Sequence, residues 1–353
     1  MNNKFPDRLT EILPKRLQRR FAWHFILEHF LGQNRFNAWM GDKRKRLEQE
    51  MLGILKSNGK GRVIPVPEIG NATSIEFGME FAKHGMPVVF KGQAKGWNAC
   101  KTWNFEFFRN RYGTDPAILV NHEVYGIRNE IAPLYELITL AELIDQMAQG
   151  SMKYARFHPL LDRHPELLDD LNGNWLSERM YGITSNSLTF HVLFMGGQGT
   201  STPIHNAGND NIFVQIEGKK RWHMWLPDVR YAFQPQANRS PAKSCDLQPH
   251  NPDLERWPLY QYVDTMTVDL EPGDLLYVPS YVWHHVENLS DSIGVGTRWT
   301  PLKTIIGNDP LLASLELFNT RPSIFRTMFM KGEFDFNKIL IESTGENISA
   351  DAP

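Results

Sequence analysis

Two helical patterns flank a long central stretch of short segments. Apolar residues recur with helical spacing over residues 14–31, and Gly32 suits a C-terminal cap, which predicts a first helix there. The same spacing predicts a second helix from about residue 36 to residue 55. After Pro301 the helical pattern returns and continues to about residue 341.

Between these helical regions the pattern is that of β-structure. A mixed lead-in predicts strands at 87–90 and 117–120, a helix at 105–112, and a helix that begins at the capping box Thr139/Glu142 and ends near Gly150. Beyond residue 188 short alternating runs follow one another without helices, at 188–194, 211–216, 219–225, 266–270, 275–278, 283–288 and 293–299. Such a series predicts a barrel or sandwich. The Pro-, Asn- and Gln-rich stretch 228–262 predicts a surface insertion, with a lid or binding loop as the alternative.

Length and composition narrow the class of protein. A chain of 353 residues predicts one large domain with extensions, and 41% hydrophobic residues exclude disorder over the whole chain. A net charge of -2 lacks the positive excess of nucleic-acid binders, so we expect no nucleic-acid partner. Two distant cysteines, no signal peptide and no long apolar run predict a cytoplasmic protein without disulfides, structural zinc or membrane contact.

The chemistry is concentrated in two blocks. The first is Thr202-Pro203-Ile204-His205-Asn206-Ala207, and the second ends in Trp283-His284-His285. Two histidines and one carboxylate on one face are the ligands of a non-haem Fe(II) oxygenase. Residues two apart in a strand face the same side, so position 207 faces the same way as His205. That position holds alanine instead of a carboxylate.

A buried cation is predicted beside this pair. Strand parity turns Asn211, Phe213 and Gln215 inward, and Lys220, after the turn at Gly218, is a candidate to face the same way. A buried ammonium needs an anion to remain charged. A carboxylate-bearing cosubstrate such as 2-oxoglutarate would supply one.

The ordered set from Thr202 through Trp222, followed by Pro272-Gly273-Asp274 and the Trp283-His284-His285 block, resembles the JmjC and cupin-like Fe(II)/2-oxoglutarate-dependent oxygenases. The resemblance covers about residues 87–299. It implies a mainly β fold with helical additions, namely a double-stranded β-helix (jelly-roll) core with N-terminal and C-terminal helices. The expected divisions are a helical extension at 1–62, the cupin-like domain with its α/β lead-in at 63–300, and C-terminal helices and tail at 301–353.

Carried over to this sequence, the resemblance makes His205 and His284 the metal ligands and gives Lys220, Thr202 and Asn211 contacts to 2-oxoglutarate. Tyr154 is a further candidate for the same cosubstrate. Arg298, which resembles the cosubstrate-binding arginine of other 2-oxoglutarate oxygenases, rivals Lys220, and strand parity does not decide between them. Thr297 stands where the family often has asparagine.

The other histidines are weighed against these two. His285 is expected to face away from the metal because its neighbour His284 has the opposite parity. His191 is either a third ligand or an ordinary packed histidine. No function is predicted for the remaining eight, which are His24, His29, His84, His122, His158, His164, His223 and His250.

Ala207 leaves several functions open. An oxygenase completed by water or a nearby side chain is the first reading, and a hydroxylase is its expected form. Asp210 is an unsuitable replacement because its odd spacing turns it to the wrong face, and Asn206 is a further candidate. A halogenase with chloride in the place of the carboxylate is the second reading. A non-catalytic binding module is the third. An introduced aspartate-to-alanine change would give the same sequence.

Substrate and assembly are predicted only as classes. The substrate is expected to be a peptide or a small molecule, and Trp103, Trp222, Trp257 and Trp283 either line its groove or pack in the core. The apolar stripes of the C-terminal helices must bury against something, which predicts a homodimer or closure of one end of the barrel.

Overall fold

The computed structural model describes residues 5–70, 72–121, 135–183, 188–235, 237, 242–320 and 323. Within them the chain forms two β-sheets that share one large apolar core, with helices outside. The helices are α1 Leu9–Ile12, α2 Lys15–Leu31, α3 Gln33–Ser57, α4 Ser74–Glu80, α5 Asn98–Thr102, α6 Phe105–Tyr112, α7 Leu140–Met147, α8 Leu160–Arg163, α9 Gly173–Arg179, α10 Arg230–Phe233, α11 Leu302–Asn308 and α12 Pro310–Phe318.

The strands alternate between the two sheets along much of the second half of the chain. They are β1 Val63–Pro65, β2 Glu68–Ile69, β3 Val88–Phe90, β4 Pro116–Asn121, β5 Tyr135–Thr139, β6 Lys153–His158, β7 Thr189–Gly196, β8 Ser201–Ala207, β9 Asp210–Glu217, β10 Lys220–Trp225, β11 Ala242–Cys245, β12 Thr265–Leu270, β13 Leu275–Val278, β14 Trp283–Asn288 and β15 Ser292–Trp299.

One sheet has six strands in the order β1-β12-β10-β14-β8-β11, and the other has nine in the order β2-β3-β13-β9-β15-β7-β6-β4-β5. Because β8, β10, β12 and β14 belong to the first sheet and β7, β9, β13 and β15 to the second, the chain crosses repeatedly between them. The inner faces meet in one core that includes Trp222 and Val286 from the six-stranded sheet and Phe213 and Val295 from the other. This arrangement confirms the predicted mainly β, jelly-roll class.

The N-terminal helices cover part of the outer face of the six-stranded sheet. A second apolar cluster joins Leu17 and Phe21 of α2 to Trp225 and Trp283, which point outward from their strands. Side chains on the two faces of the six-stranded sheet therefore have different surroundings. The inner ones pack against the second sheet, and the outer ones contact helices, loops or solvent. The boundaries of the three predicted segments stay a prediction.

Most predicted elements lie where the pattern placed them. The first two helices, the capping box of α7 and the strands β9, β10, β13, β14 and β15 agree within a few residues. The stretch 228–262 departs from a simple surface insertion, because it contains α10 and the strand β11, which pairs with β8. Its polar composition hides a four-residue edge strand that is too short to show a pattern.

The C-terminal helices pack on their own domain as far as residue 320. Ile305 of α11 and Leu312 and Leu315 of α12 are buried in the second cluster, whereas Ile306 and Phe318 are exposed. Residues 324–341 of the predicted helical region lie outside the described residues, and the homodimer stays a prediction. Cys100 and Cys245 are free thiols. No helix in the described ranges is long and apolar enough to cross a bilayer.

Candidate active site

His205 and His284 face each other on neighbouring strands. β8 and β14 are antiparallel with His205 opposite His284, and the two ring centroids are 4.1 Å apart. The Nδ1 of His205 lies 2.8 Å from the carbonyl oxygen of Pro203, and the Nδ1 of His284 lies 2.9 Å from that of Val282. A carbonyl can only accept, so each Nδ1 carries the proton and donates. Each Nε2 is thus left with its lone pair, the form in which imidazole binds a metal.

Burial keeps both rings neutral. It is the main cause that lowers the pKa of His205 well below its ordinary value and that of His284 to about 4, with neighbouring positive groups adding to the effect. Both histidines are therefore unprotonated at neutral pH.

A β-bulge brings Thr202 to the same side as His205. These residues are three apart, and regular parity would send them to opposite faces. The register of β8 against β14 shifts between His284 and Val286, so Thr202 lies opposite Val286 while His205 lies opposite His284. An extra residue in one strand reverses the parity beyond it. The hydroxyl of Thr202 is buried and has no hydrogen-bond partner among the described residues.

The two histidines open into a small cavity between the sheets. It combines an aromatic wall, two cations and the histidine pair. Its lining residues are Tyr154, Phe157, Phe194, Thr202, His205, Phe213, Lys220, Trp222, His284, Val286 and Arg298. No carboxylate is among them. Trp103, Trp257 and Trp283 do not line it, so only Trp222 of the predicted aromatic groove does.

Lys220 is a fully buried amine beside the histidines. Its Nζ donates to Asn288 Oδ1 and lies 3.4 Å from Tyr154 Oη, and no ion pair to it occurs in the part of the chain that the structure describes. Burial lowers its pKa to about 7. An anion would restore the charged form, as the sequence predicted for this position.

Arg298 points into the same cavity. Its guanidinium carbon lies 4.9 Å from the centroid of the Phe157 ring, and its Nε is buried without a hydrogen-bond partner. Burial lowers its pKa to about 10, which leaves it charged at neutral pH. The two predicted rivals are therefore both present, and the cavity holds two basic side chains, of which Arg298 is charged at neutral pH and Lys220 becomes so when an anion binds.

Ala207 ends β8 on the side that His205 faces. Its carbonyl accepts a hydrogen bond from the backbone of Tyr281 at 2.8 Å, and its strand neighbour on β11 is Ala242. Neither candidate replacement reaches the cavity. The carboxylate of Asp210 accepts from Tyr277 Oη at 2.7 Å and from the Ser280 amide at 2.8 Å, and Asn206 is buried on the opposite face, where its amide nitrogen lies 3.4 Å from the Tyr281 carbonyl.

Two further candidates lie outside the lining. The Asn211 side chain is buried with Oδ1 lacking a hydrogen-bond partner, but it does not line the cavity. His191 Nδ1 lies 3.0 Å from Thr297 Oγ1, and its ring does not line the cavity either. His191 and Thr297 are cross-strand neighbours on β7 and β15, which favours the packed-histidine reading of His191.

The side chains that line the cavity fit a metal in part and a dicarboxylate well. Two neutral imidazoles with free Nε2 atoms suit Fe(II), and the third ligand must come from outside the side chains that line the cavity. Two buried cations and the unpaired Thr202 hydroxyl suit the carboxylates of 2-oxoglutarate. Sequence reasoning missed the aromatic walls Phe157 and Phe194, because an isolated phenylalanine carries no signal that separates a cavity wall from core.

Residues 74–304 match the model of a family described as a cupin-like domain. The chain belongs to the cupin-like domain family. It is 24% identical over 288 residues to a lysine-specific demethylase 8 from Danio rerio, covering 78% of this chain and 70% of that protein. It is 25% identical over 221 residues to the lysine-specific demethylase JMJ30 of Arabidopsis thaliana, covering 61% of this chain and half of that protein.

The human HSPB1-associated protein 1 is 29% identical over 155 residues, which are 42% of this chain and 30% of that protein. These matches confirm the resemblance to JmjC and cupin-like oxygenases that the sequence indicated. The chain spans about half of the Arabidopsis relative and less than a third of the human one, so what those whole proteins do is not assigned to this chain.

Proposed function

We propose that this chain is an Fe(II)- and 2-oxoglutarate-dependent oxygenase whose protein metal ligands are two histidines. The observation that carries the proposal is the meeting of the neutral pair His205/His284 with the buried Lys220 in one cavity. The two histidines can bind a metal, and Lys220 beside them can bind a carboxylate group of 2-oxoglutarate.

Each residue then has a distinct part. His205 and His284 would hold the metal through Nε2, because their Nδ1 atoms are fixed by backbone carbonyls. Lys220 would take the far carboxylate of 2-oxoglutarate, with Tyr154 and Thr202 as hydrogen-bond donors. The aromatic lining would limit the access of water to the site. Metal and cosubstrate, when bound, supply oxidation of an unactivated carbon by O₂ with release of succinate and CO₂.

Charge balance makes a halogenase the second candidate. Lys220 and Arg298 together offset the two negative charges of 2-oxoglutarate. The divalent metal then has no compensating charge among the described side chains that line the cavity, because none of them is a carboxylate. An open position on a cationic metal favours an anion, and chloride could occupy the position that Ala207 leaves free.

Turnover assays separate these readings. We would measure succinate formed from 2-oxoglutarate with Fe(II), with and without chloride, in the wild type and in Ala207→Asp. For the oxygenase we expect Fe(II)-dependent succinate, no effect of chloride and a gain from Ala207→Asp. For the halogenase we expect a separate chloride titration to show tighter binding when Fe(II) and 2-oxoglutarate are present, and Ala207→Asp to abolish that effect.

A third outcome would overturn both enzyme readings. If wild type and Ala207→Asp form no succinate while 2-oxoglutarate binds, the chain is a binding module. Two relatives are named lysine-specific demethylases, which supports trying methylated and unmethylated lysine peptides as substrates beside small molecules.

A further inference from the structure

A cluster of three histidines and a glutamate lies on the outer face of the six-stranded sheet, away from the cavity. His223 of β10 and His285 of β14 are direct cross-strand partners. Glu287 lies two residues beyond His285 and so shares its face. The fourth member, His250, comes from the loop after β11 and lies over these strands.

The three rings surround the carboxylate. Ring centroids are 5.3 Å apart for His223 and His250, 6.1 Å for His223 and His285, and 6.0 Å for His250 and His285. Glu287 Oε1 lies 3.0 Å from His285 Nε2 and also contacts His250 Nε2.

Ligand atoms of His223, His250 and Glu287 all lie within 4.8 Å of one another. Ligand atoms around a tetrahedral Zn(II) with bonds near 2.0–2.1 Å are separated by roughly 3.3 Å, so small side-chain rotations suffice.

Unsatisfied atoms in this cluster point to a ligand. Among the residues that the structure describes, His223 Nε2 and His285 Nδ1 are both buried without a hydrogen-bond partner. The His285 side chain is only 5% exposed, so water does not readily satisfy it. Buried polar atoms are nearly always paired, so the orphaned Nε2 of His223, in a cluster of metal-binding side chains, needs a partner. Burial also lowers the pKa of His223 to about 4, so its lone pair is available at neutral pH.

We propose that His223, His250 and Glu287 bind a divalent metal ion of the zinc type, with His285 as a fourth ligand or as the hydrogen-bond donor that orients Glu287. Imidazole and carboxylate donors suit Zn(II) among the common first-row ions. A histidine that bonds a metal-ligating carboxylate fixes its orientation. The ion would fasten the His250 loop onto the sheet. This site is separate from the cavity and does not depend on its chemistry.

Co(II) is the probe, because it replaces Zn(II) in such sites and its visible absorption reports its coordination. We would titrate the wild type, the cavity variant His205→Ala/His284→Ala and the outer variant His223→Gln/His250→Gln, with His84→Gln as an exposed-histidine control. We expect the cavity variant to keep one equivalent of Co(II), displaced by Zn(II). The outer variant should lose that equivalent. Its affinity for Co(II) at this site should be at least tenfold weaker than that of the His84→Gln control.

Two results would overturn the proposal: a folded cavity variant that binds no Co(II), or an outer variant that binds as tightly as His84→Gln at this site. Should the cavity variant not fold, the stoichiometry of the other proteins decides. One equivalent fewer in the outer variant than in the wild type supports the site, and equal numbers contradict it. Zn(II) should also raise the midpoint of thermal unfolding more in the wild type than in the outer variant.

Discussion

Strand β14 carries histidines in opposite settings on its two faces. On the inner face His284 meets His205 of the neighbouring strand β8, with Lys220 and Arg298 nearby and no carboxylate among the described residues that line the cavity. On the outer face His285 meets His223 and bonds Glu287. Glu287 is a carboxylate only three residues after His284, but strand parity places it on the outer face, away from the cavity. Sequence distance therefore says little about which side chains share a ligand.

The difference between the two faces predicts separate metal affinities for the inner histidine pair and for the outer cluster. His205→Ala or His284→Ala should weaken Mn(II), a redox-stable stand-in for Fe(II), by more than about 100-fold at the cavity, beyond the 10–100-fold typical of groups behind the ligands. Anaerobic titration measures this. His191→Ala is the matched control, because that ring contacts Thr297 outside the cavity, and it should change the affinity by less than about threefold. Equal losses in all three variants would remove the inner metal site.

The inner cations should determine cosubstrate binding. Lys220→Met should raise the dissociation constant of 2-oxoglutarate about 10–100-fold, because a charged hydrogen bond contributes roughly 1.5–3 kcal/mol. Lys219→Met is the control, since that neighbouring lysine is exposed and pairs with Glu271. Calorimetry on Arg298→Met in parallel identifies the stronger contact. Unchanged binding in both cavity variants would contradict the assignment.

Lys220 also makes stability depend on pH in the absence of 2-oxoglutarate. Its pKa is about 7 in the folded chain against an ordinary lysine value of 10.5, so between these values the unfolded chain binds more protons. The free energy of unfolding should therefore rise with pH from 7 towards 10. Lys220→Met removes this slope and should be more stable at pH 6 by roughly 5 kcal/mol, at about 1.4 kcal/mol for each unit of pKa difference. Urea unfolding at several pH values tests this, and parallel profiles for the two proteins would refute it.

The smallest effect on the cavity is expected from a substitution on the opposite, outer face of the six-stranded sheet. His223→Gln should change the affinity of the cavity for 2-oxoglutarate by less than about twofold, because its side chain points to the opposite face. Calorimetry on this variant tests how separate the two faces are. A change comparable to that of Lys220→Met would show that they are coupled.

The alternation of inward and outward side chains along the strands predicted much of this architecture, and its failures have local structural causes. The parity of β14 turned His285 outward as observed, whereas parity left Lys220 and Arg298 undecided and the structure has both facing the cavity. It could not place Thr202, because the bulge in β8 reverses the parity between Thr202 and His205. It also could not bring His250 to His223, since that contact depends on the path of a long loop.

The central claim is that the histidine pair and Lys220 act on one shared ligand. Calorimetric titration of 2-oxoglutarate with and without Mn(II), in the wild type and in His205→Ala/His284→Ala, tests it most directly, because coupling between two ligands is reciprocal and measurable as a change in affinity. We predict that Mn(II) tightens 2-oxoglutarate binding at least tenfold in the wild type and has no effect in the double variant. An affinity that Mn(II) leaves unchanged in the wild type, or changes equally in both proteins, would contradict the account.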